Sequence, residues 1–233
     1  MNVFHIDLGL TDFNEVWQLQ RNILLYKQKN KCEDIIITNS HHHVYTLGKA
    51  GDKNHLLMSD DEMKKNNISY YEIDRGGDLT YHGPGQLVAY PIFDLQNYFK
   101  DSHRFLRALE EVIILTLKEY GINAGREEEF TGVWVGEEKI CAIGIKLSRW
   151  ITMHGLALNV NNDLSYFDKI IPCGIFHKGV ISMKKLLGNE IDFQKLVQIV
   201  LNNFKIVLNI DKIEEIEPNK LEFIYKLKTE SII

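Results

Sequence analysis

With 233 residues, the chain is long enough for one large domain or two small ones, and folding should bury roughly 70–75% of its unfolded surface. A composition of 45% hydrophobic and 25% charged residues with only 4 prolines excludes collagen-like, low-complexity and mostly disordered classes. A formal net charge of -5 and a pI near 6.0 argue against a nucleic-acid binder, whose phosphate contacts need a basic excess.

The longest apolar runs, such as Val112-Ile113-Ile114-Leu115, fall far short of the ~20 residues of a membrane span. The first residues, Met1 to Asp7, lack the basic and long apolar regions of an export signal. The expectation is a cytoplasmic protein with no membrane contact. Cys32, Cys141 and Cys173 are too widely spaced for a disulfide framework or a CxxC metal site, and their odd number suits a reducing compartment.

In chain order, a strand is predicted at Val3–Leu8 and a helix at Phe13–Lys29, with Asp12 and Glu15 at capping-box spacing. Ile35-Ile36-Ile37 reads as a buried strand. Ser59 and Glu62 repeat the capping signature before a short helix to Asn66, and Ser69–Asp74 and Gln86–Phe93 are strand candidates. The clearest helix is Ser102–Tyr120, apolar at Phe105, Leu106, Leu109, Val112, Ile113 and Leu117 and followed by Gly121. Val133–Val135, a polar turn at Gly136–Glu138 and Lys139–Leu147 form a hairpin, with a further strand over Ile151–Val160. A helix over Phe193–Leu208 follows Asp192. No linker or repeat divides the chain, so residues 1–233 read as one domain. Strands in the middle bracketed by helices predict an α+β fold of mixed α/β layers, a mixed sheet flanked by helices, rather than a regular doubly wound sheet.

Three stretches concentrate chemistry. The first, Arg75-Gly76-Gly77-Asp78-Leu79-Thr80-Tyr81-His82-Gly83-Pro84-Gly85-Gln86, reads as a loop between two strands. Its glycines remove the Cβ that would keep a ligand from the main chain, and Arg75 and His82 can supply charge or hydrogen bonds. An elaborate turn is the plainer alternative, and without GKS/T or GxGxxG spacing the stretch names no nucleotide. The second runs from Gly132 to Gly155. On strand alternation Lys139, Cys141 and Ile143 share a face, so Lys139 either snorkels at a sheet edge or enters a site, while Cys141 reads as a small core residue. The third, Ile170-Ile171-Pro172-Cys173-Gly174-Ile175, holds a cysteine in a constrained loop. That suits either a nucleophile or an inert thiol, since reactivity at neutral pH needs a nearby cation or helix N-terminus to lower a pKa of about 8.5. His41-His42-His43 alternate faces if extended and make a poor metal set, so no metal is assigned.

Together these stretches resemble the lipoyl(octanoyl) transferase family, also called lipoate-protein ligase B, over most of the chain with a weaker match at its end. The matching motifs are Val44-Tyr45-Thr46-Leu47-Gly48, Arg75-Gly76-Gly77 with Thr80-Tyr81-His82-Gly83-Pro84-Gly85-Gln86, and Gly132-Val133-Trp134-Val135-Gly136 leading to Lys139-Ile140. His154-Gly155-Leu156-Ala157-Leu158-Asn159-Val160 and Pro172-Cys173-Gly174 complete the set. Where the family usually has His-Pro-Pro, this chain has His41-His42-His43. The family's lysine stands 34 residues before its cysteine, which selects Lys139 over Lys146, as 173 - 139 = 34.

The resemblance implies a fold similar to the catalytic domain of biotin and lipoate protein ligases. It also implies transfer of an octanoyl group from acyl carrier protein to a lysine of lipoyl domains in 2-oxoacid dehydrogenases and the glycine-cleavage H protein, with no cofactor. Cys173 would form the acyl-enzyme, and Lys139 would favour its thiolate and shuttle protons. Arg75 to His82, the run Ala142, Ile143 and Gly144, and the run Gly155, Leu156 and Ala157 would bind substrate. An ATP-dependent lipoate or biotin ligase would need no cysteine, and a non-catalytic module binding lipoyl domains or acyl carriers would need neither Cys173 nor Lys139. Lys146, Arg149 and Lys178 are the sequence candidates for a basic surface facing acidic protein partners.

Overall fold

The computed structural model describes residues 1–171 and 179–225, the side chains of 222–224 apart. Seven strands form the main sheet: β1 (Asn2–Thr11), β2 (Asp34–His41), β6 (Gln86–Ile92), β7 (Val133–Val135), β8 (Glu138–Ser148), β9 (Ile151–Asn159) and β10 (Lys212–Glu215), in the order β10-β1-β2-β6-β9-β8-β7. The pairs β10/β1 and β1/β2 are parallel and the rest antiparallel, giving the mixed sheet expected. β3 (Val44–Leu47), β4 (Ser69–Glu72) and β5 (Leu79–His82) make a smaller sheet in the order β4-β3-β5.

β2 and β6 are buried along their whole length because both sheet faces are covered, which is why Ile35-Ile36-Ile37 does not alternate with polar residues. On one face lie α3 (Ser102–Glu119) and α5 (Phe193–Leu208), which bury Phe105, Leu109, Ile113, Val200 and Phe204 against Leu87, Ala89, Leu156 and Leu158. The other face receives α1 (Phe13–Lys27) and α6 (Pro218–Tyr225), with Val16, Leu19, Ile23 and Leu221 packed on Ile35, Ile37, Val88 and Ala157. The short helices α2 (Asp60–Lys65) and α4 (Met183–Leu187) lie in connections. None of the described helices is long and apolar enough to cross a membrane.

The capping signals form as local chemistry dictates. Ser59 and Glu62 make the reciprocal box at α2, whereas at α1 the Asp12 carboxylate accepts the Asn14 N–H, two residues on, at 2.8 Å. α1 ends at Lys27, two residues before the predicted end. Lys27 turns inward to a buried ion pair with Asp34 at 2.8 Å, and its ammonium also donates to the Glu33 carbonyl, so the chain leaves the helix to meet it.

One irregularity shapes the site. The β6/β9 ladder ends at Ala89 and Leu156, beside Pro91, which has no N–H to give. Beyond that point Thr152 Oγ1 substitutes for the ladder, accepting from Phe93 N–H and donating to Pro91 O. β9 turns at His154, whose φ is +62°, and at Gly155, where a Cβ would stand 2.2 Å from Ala89 O. Only glycine permits that approach.

Candidate active site

The Arg75–Gln86 stretch is not one loop. Leu79 and Tyr81 bury one side of β5 against Tyr45, Phe167 and Ile170, and this apolar alternation makes a strand of what reads in sequence as glycine-rich connection. Two turns remain. The first, at residues 75–78, lies along the outer edge of β8, where Gly76 N–H donates to Ile145 O at 3.0 Å. Contact is so close there that a Cβ on Gly144 would lie 2.8 Å from Gly76 O. Gly77 has φ +90°.

Between this turn and the β6-β9-β8 surface lies a cavity of about 330 Å³, at the lower end of the range for small-ligand pockets. Phe13, Ile73, Val88, Leu156, Ala157 and Phe167 give it apolar walls, and His82, Gln86, Asn159, Lys139 and His154 bring polar groups to it. Among the residues proposed from sequence to bind substrate, Arg75, Gly76, Gly77, Asp78, Leu79, Thr80, His82, Ala142, Ile143, Gly144, Gly155, Leu156 and Ala157 line it. Tyr81 does not. Its ring is fully buried, stacked on Tyr166 at 4.9 Å, and its hydroxyl meets His43 Nδ1 at 2.7 Å. Asp78 touches the cavity, but its carboxylate organises the turn, accepting from Leu79 N–H and pairing with His55. The Arg75 guanidinium donates to Thr46 O and Thr46 Oγ1 as well as to Gly76 O, tying β3 to the same turn.

Lys139 and Cys141 do not share a face. Trp134 pairs with Lys139 and Val133 with Cys141, so Ile140 is an extra residue on β8, a β-bulge that re-aims the lysine. Lys139 lines the cavity with its ammonium 4.7 Å from the Trp134 ring centroid, while Cys141 is wholly buried beneath α3. Burial pushes the Cys141 thiol well up, which fits an inert core residue, and Cys32 is also raised by burial despite nearby Lys27.

Pro172, Cys173 and Gly174 lie outside the described residues, as does Lys178. The chain on either side is firmly attached. Ile171 N–H donates to His55 O at 2.8 Å, and Lys139 N–H donates to Gly179 O at 2.9 Å. Ile181 N–H returns to Lys139 O at 3.1 Å. Asn159 reinforces that attachment, donating to Ile181 O at 3.1 Å and accepting from Gln86 Nε2, while Gln86 Oε1 bonds His82 Nδ1 at 2.8 Å. His82 is thereby held in the cavity wall, and burial pushes its pKa down to about 4.

A second polar group at the cavity was not anticipated. Asp74 binds His154 Nε2 at 3.0 Å and Lys146 Nζ at 2.5 Å, and these two bonds hold its carboxyl far below the usual range. Lys146 is therefore committed to Asp74 and is a poor docking cation. The histidine triplet disperses: His41 Nε2 meets Tyr90 Oη at 2.7 Å, His43 stacks on Tyr166, and His42 is exposed. Phe13, Tyr90 and Phe167 carried no chemical signal in sequence, whereas Gln86 and Asn159 stood within the quoted motifs.

The lipoyl protein ligase A/B catalytic-domain model matches residues 12–205. A Flavobacterium johnsoniae protein named octanoyltransferase is 51% identical over 79% of this chain and 86% of its own length. One of the same name from Christiangramia forsetii is 49% identical over 85% and 92%. Among solved structures, the bipartite lipoate protein ligase of Thermoplasma acidophilum superposes with a TM-score of 0.76 at 19% identity, covering 97% of this chain and 91% of its own. Biotin protein ligase from Aquifex aeolicus superposes at 0.54 and 14% identity, covering 89% and 70%, so the expected ligase-like fold is present. The glycine turns, the cavity and the bulged lysine strand are thus the local form of a known framework, and the chain belongs to the lipoyl protein ligase A/B catalytic-domain family, alongside its octanoyltransferases.

Proposed function

We propose that residues 1–233 act as one catalytic domain, an octanoyltransferase that moves an octanoyl group from octanoyl-acyl carrier protein to a lysine of lipoyl domains. Cys173 attacks the carrier thioester, releasing the carrier thiol and forming an acyl-enzyme. The target lysine amine then displaces Cys173 to give the amide. Thioester exchange of this kind draws on no ATP. Lys139 favours the Cys173 thiolate before it attacks, passes a proton to the departing carrier thiol, and in its neutral form takes up the proton that the target amine loses as the amide forms. The apolar walls hold the acyl chain, and the turn at residues 75–77 with the Ala142–Gly144 edge surrounds the reacting carbonyl.

The observation that supports this reading is the backbone hydrogen bond from Lys139, a residue of the cavity wall, to Gly179, six residues after Cys173 in the chain. The 51% and 49% identities to octanoyltransferases support a transferase over an ATP-dependent ligase, to which the likeness is one of fold at 19% identity or less. The experiment is transfer from octanoyl carrier to a lipoyl domain in ATP-free buffer. Transfer there supports the proposal; transfer of free octanoate only with ATP would make the protein a ligase, and binding without transfer would make it a carrier module.

A further inference from the structure

Glu110 of α3 is fully buried, and the machinery described above does not use it. Its Oε2 accepts from Arg107 Nη1 at 2.8 Å and from Arg126 Nε at 3.0 Å, while Oε1 accepts the backbone N–H of Gly132 at 3.1 Å. Buried ion pairs are a weak source of net stability, so what this carboxylate holds in place matters more than how strongly it holds. It holds the wall of Lys139. Gly132 has φ +135°, and a Cβ there would lie 2.6 Å from Cys141 O and 3.4 Å from Lys139 Cε. Two residues on, Trp134 exchanges backbone hydrogen bonds with Gly125 at 2.8 and 2.9 Å and presents its ring to the Lys139 ammonium. Gly132 thus abuts the lysine's stem and Trp134 faces its head. Glu110 fixes this segment at two points, Arg126 near its start and Gly132 near its end.

We propose that Glu110 is a positioning residue for Lys139, holding the 125–134 segment against the lysine so that its ammonium keeps one direction at the cavity. The inference rests on the reading of Lys139 as the cation that favours the Cys173 thiolate. It acts through geometry, since Glu110 touches neither substrate nor the reacting atoms.

The test follows alkylation of Cys173 by iodoacetamide against pH, with modified peptides resolved so that Cys32 and Cys141 do not contribute. Glu110→Ala should move the midpoint upward in the same direction as Lys139→Ala and slow alkylation at pH 7 by up to about tenfold per unit moved, with little effect at pH 10. The double variant should shift no further than Lys139→Ala alone. Glu110→Gln keeps an acceptor for Gly132 N–H but loses the one for Arg126, so its midpoint should lie between those of the parent and Glu110→Ala. Thr116→Ala loses a different buried hydrogen bond of α3, to Asn203, and should leave the midpoint alone. A folded Glu110→Ala protein with lowered melting temperature but the parent midpoint overturns the inference. Should Glu110→Ala fail to fold, Arg126→Met loosens the same carboxylate from a partly exposed position, and its midpoint must rise; an unmoved midpoint again overturns the proposal. If Lys139→Ala shifts and Glu110→Ala does not, only this inference fails. If Lys139→Ala itself does not shift, the reading of Lys139 falls with it.

Discussion

Lys139 and Ile181 are joined main chain to main chain, the Ile181 N–H donating to the Lys139 carbonyl at 3.1 Å, while Lys139 N–H donates to Gly179 on the same stretch. The lysine and the chain that follows the Cys173 segment therefore move as one piece. Asn159 extends the piece to β9 through Ile181 O, and Gln86 extends it to β6. The geometry of the proposed Cys–Lys pair thus depends on buried amides as well as on the two residues themselves.

Asn159→Leu removes the bond to Ile181 O and the acceptor of Gln86 Nε2 and Asn162 Nδ2, leaving Gln86 Nε2 only its 3.3 Å bond to Tyr81 O. Losing buried hydrogen bonds in this way costs about 1–3 kcal/mol. Urea unfolding should show a loss in that range, and octanoyl transfer should fall further than the folded fraction does. Activity that merely tracks the folded fraction would remove Asn159 from the positioning network.

Lys139→Ala should slow alkylation of Cys173 at neutral pH more than at high pH, because a nearby cation favours the thiolate and a one-unit shift is about 1.4 kcal/mol. Lys146→Ala is the matched control. Its ammonium is engaged by Asp74, so its loss should alter Asp74 and leave the Cys173 profile unchanged. A shift in the Lys146 variant with none in the Lys139 variant would exchange their roles.

Gly144→Ala places a Cβ 2.8 Å from Gly76 O and 3.2 Å from the Arg75 side chain. The 75–77 turn must then lift off the β8 edge. Acyl uptake from octanoyl carrier should drop at least tenfold while the circular dichroism spectrum stays that of the parent. Full uptake would mean that this turn does not shape the acyl pocket.

Acid should destabilise the protein through His82. Its folded pKa, lowered to about 4, lies below the unfolded value of about 6.5, so the neutral ring contributes stability fully above pH 6.5 that is lost as pH falls through 4. The limit for one such group is about 3 kcal/mol. Unfolding free energies measured from pH 7 to pH 4 should fall less steeply in His82→Asn than in the parent. Identical slopes would place the acid sensitivity in the other histidines that burial lowers in the same direction, His5, His41, His43 and His154.

What could be read in sequence follows from the range over which each signal acts. α5 appears at its predicted bounds because Asp192 caps it and its apolar stripe is strong, and α3 differs only at its last residue. β5 was hidden because Leu79 and Tyr81 stand among glycines, and β10, one isoleucine among three charged residues, finds its parallel partner β1 only in three dimensions. The glycine turns were legible because close backbone approach demands glycine. Lys139's direction was not, since one extra residue at Ile140 reverses the alternation on which that reading relied. The Asp74 group was invisible for another reason: Lys146 and His154 lie 72 and 80 residues away in the chain.

The central claim, an octanoyl thioester on Cys173, is tested most directly by the intact mass of the protein after incubation with octanoyl-acyl carrier protein in ATP-free buffer. The account predicts one added octanoyl group, mapping to Cys173, absent in Cys173→Ala and discharged on adding a lipoyl domain. An adduct on Cys32 or Cys141, or transfer to the lipoyl domain by Cys173→Ala at the parent rate, would contradict it.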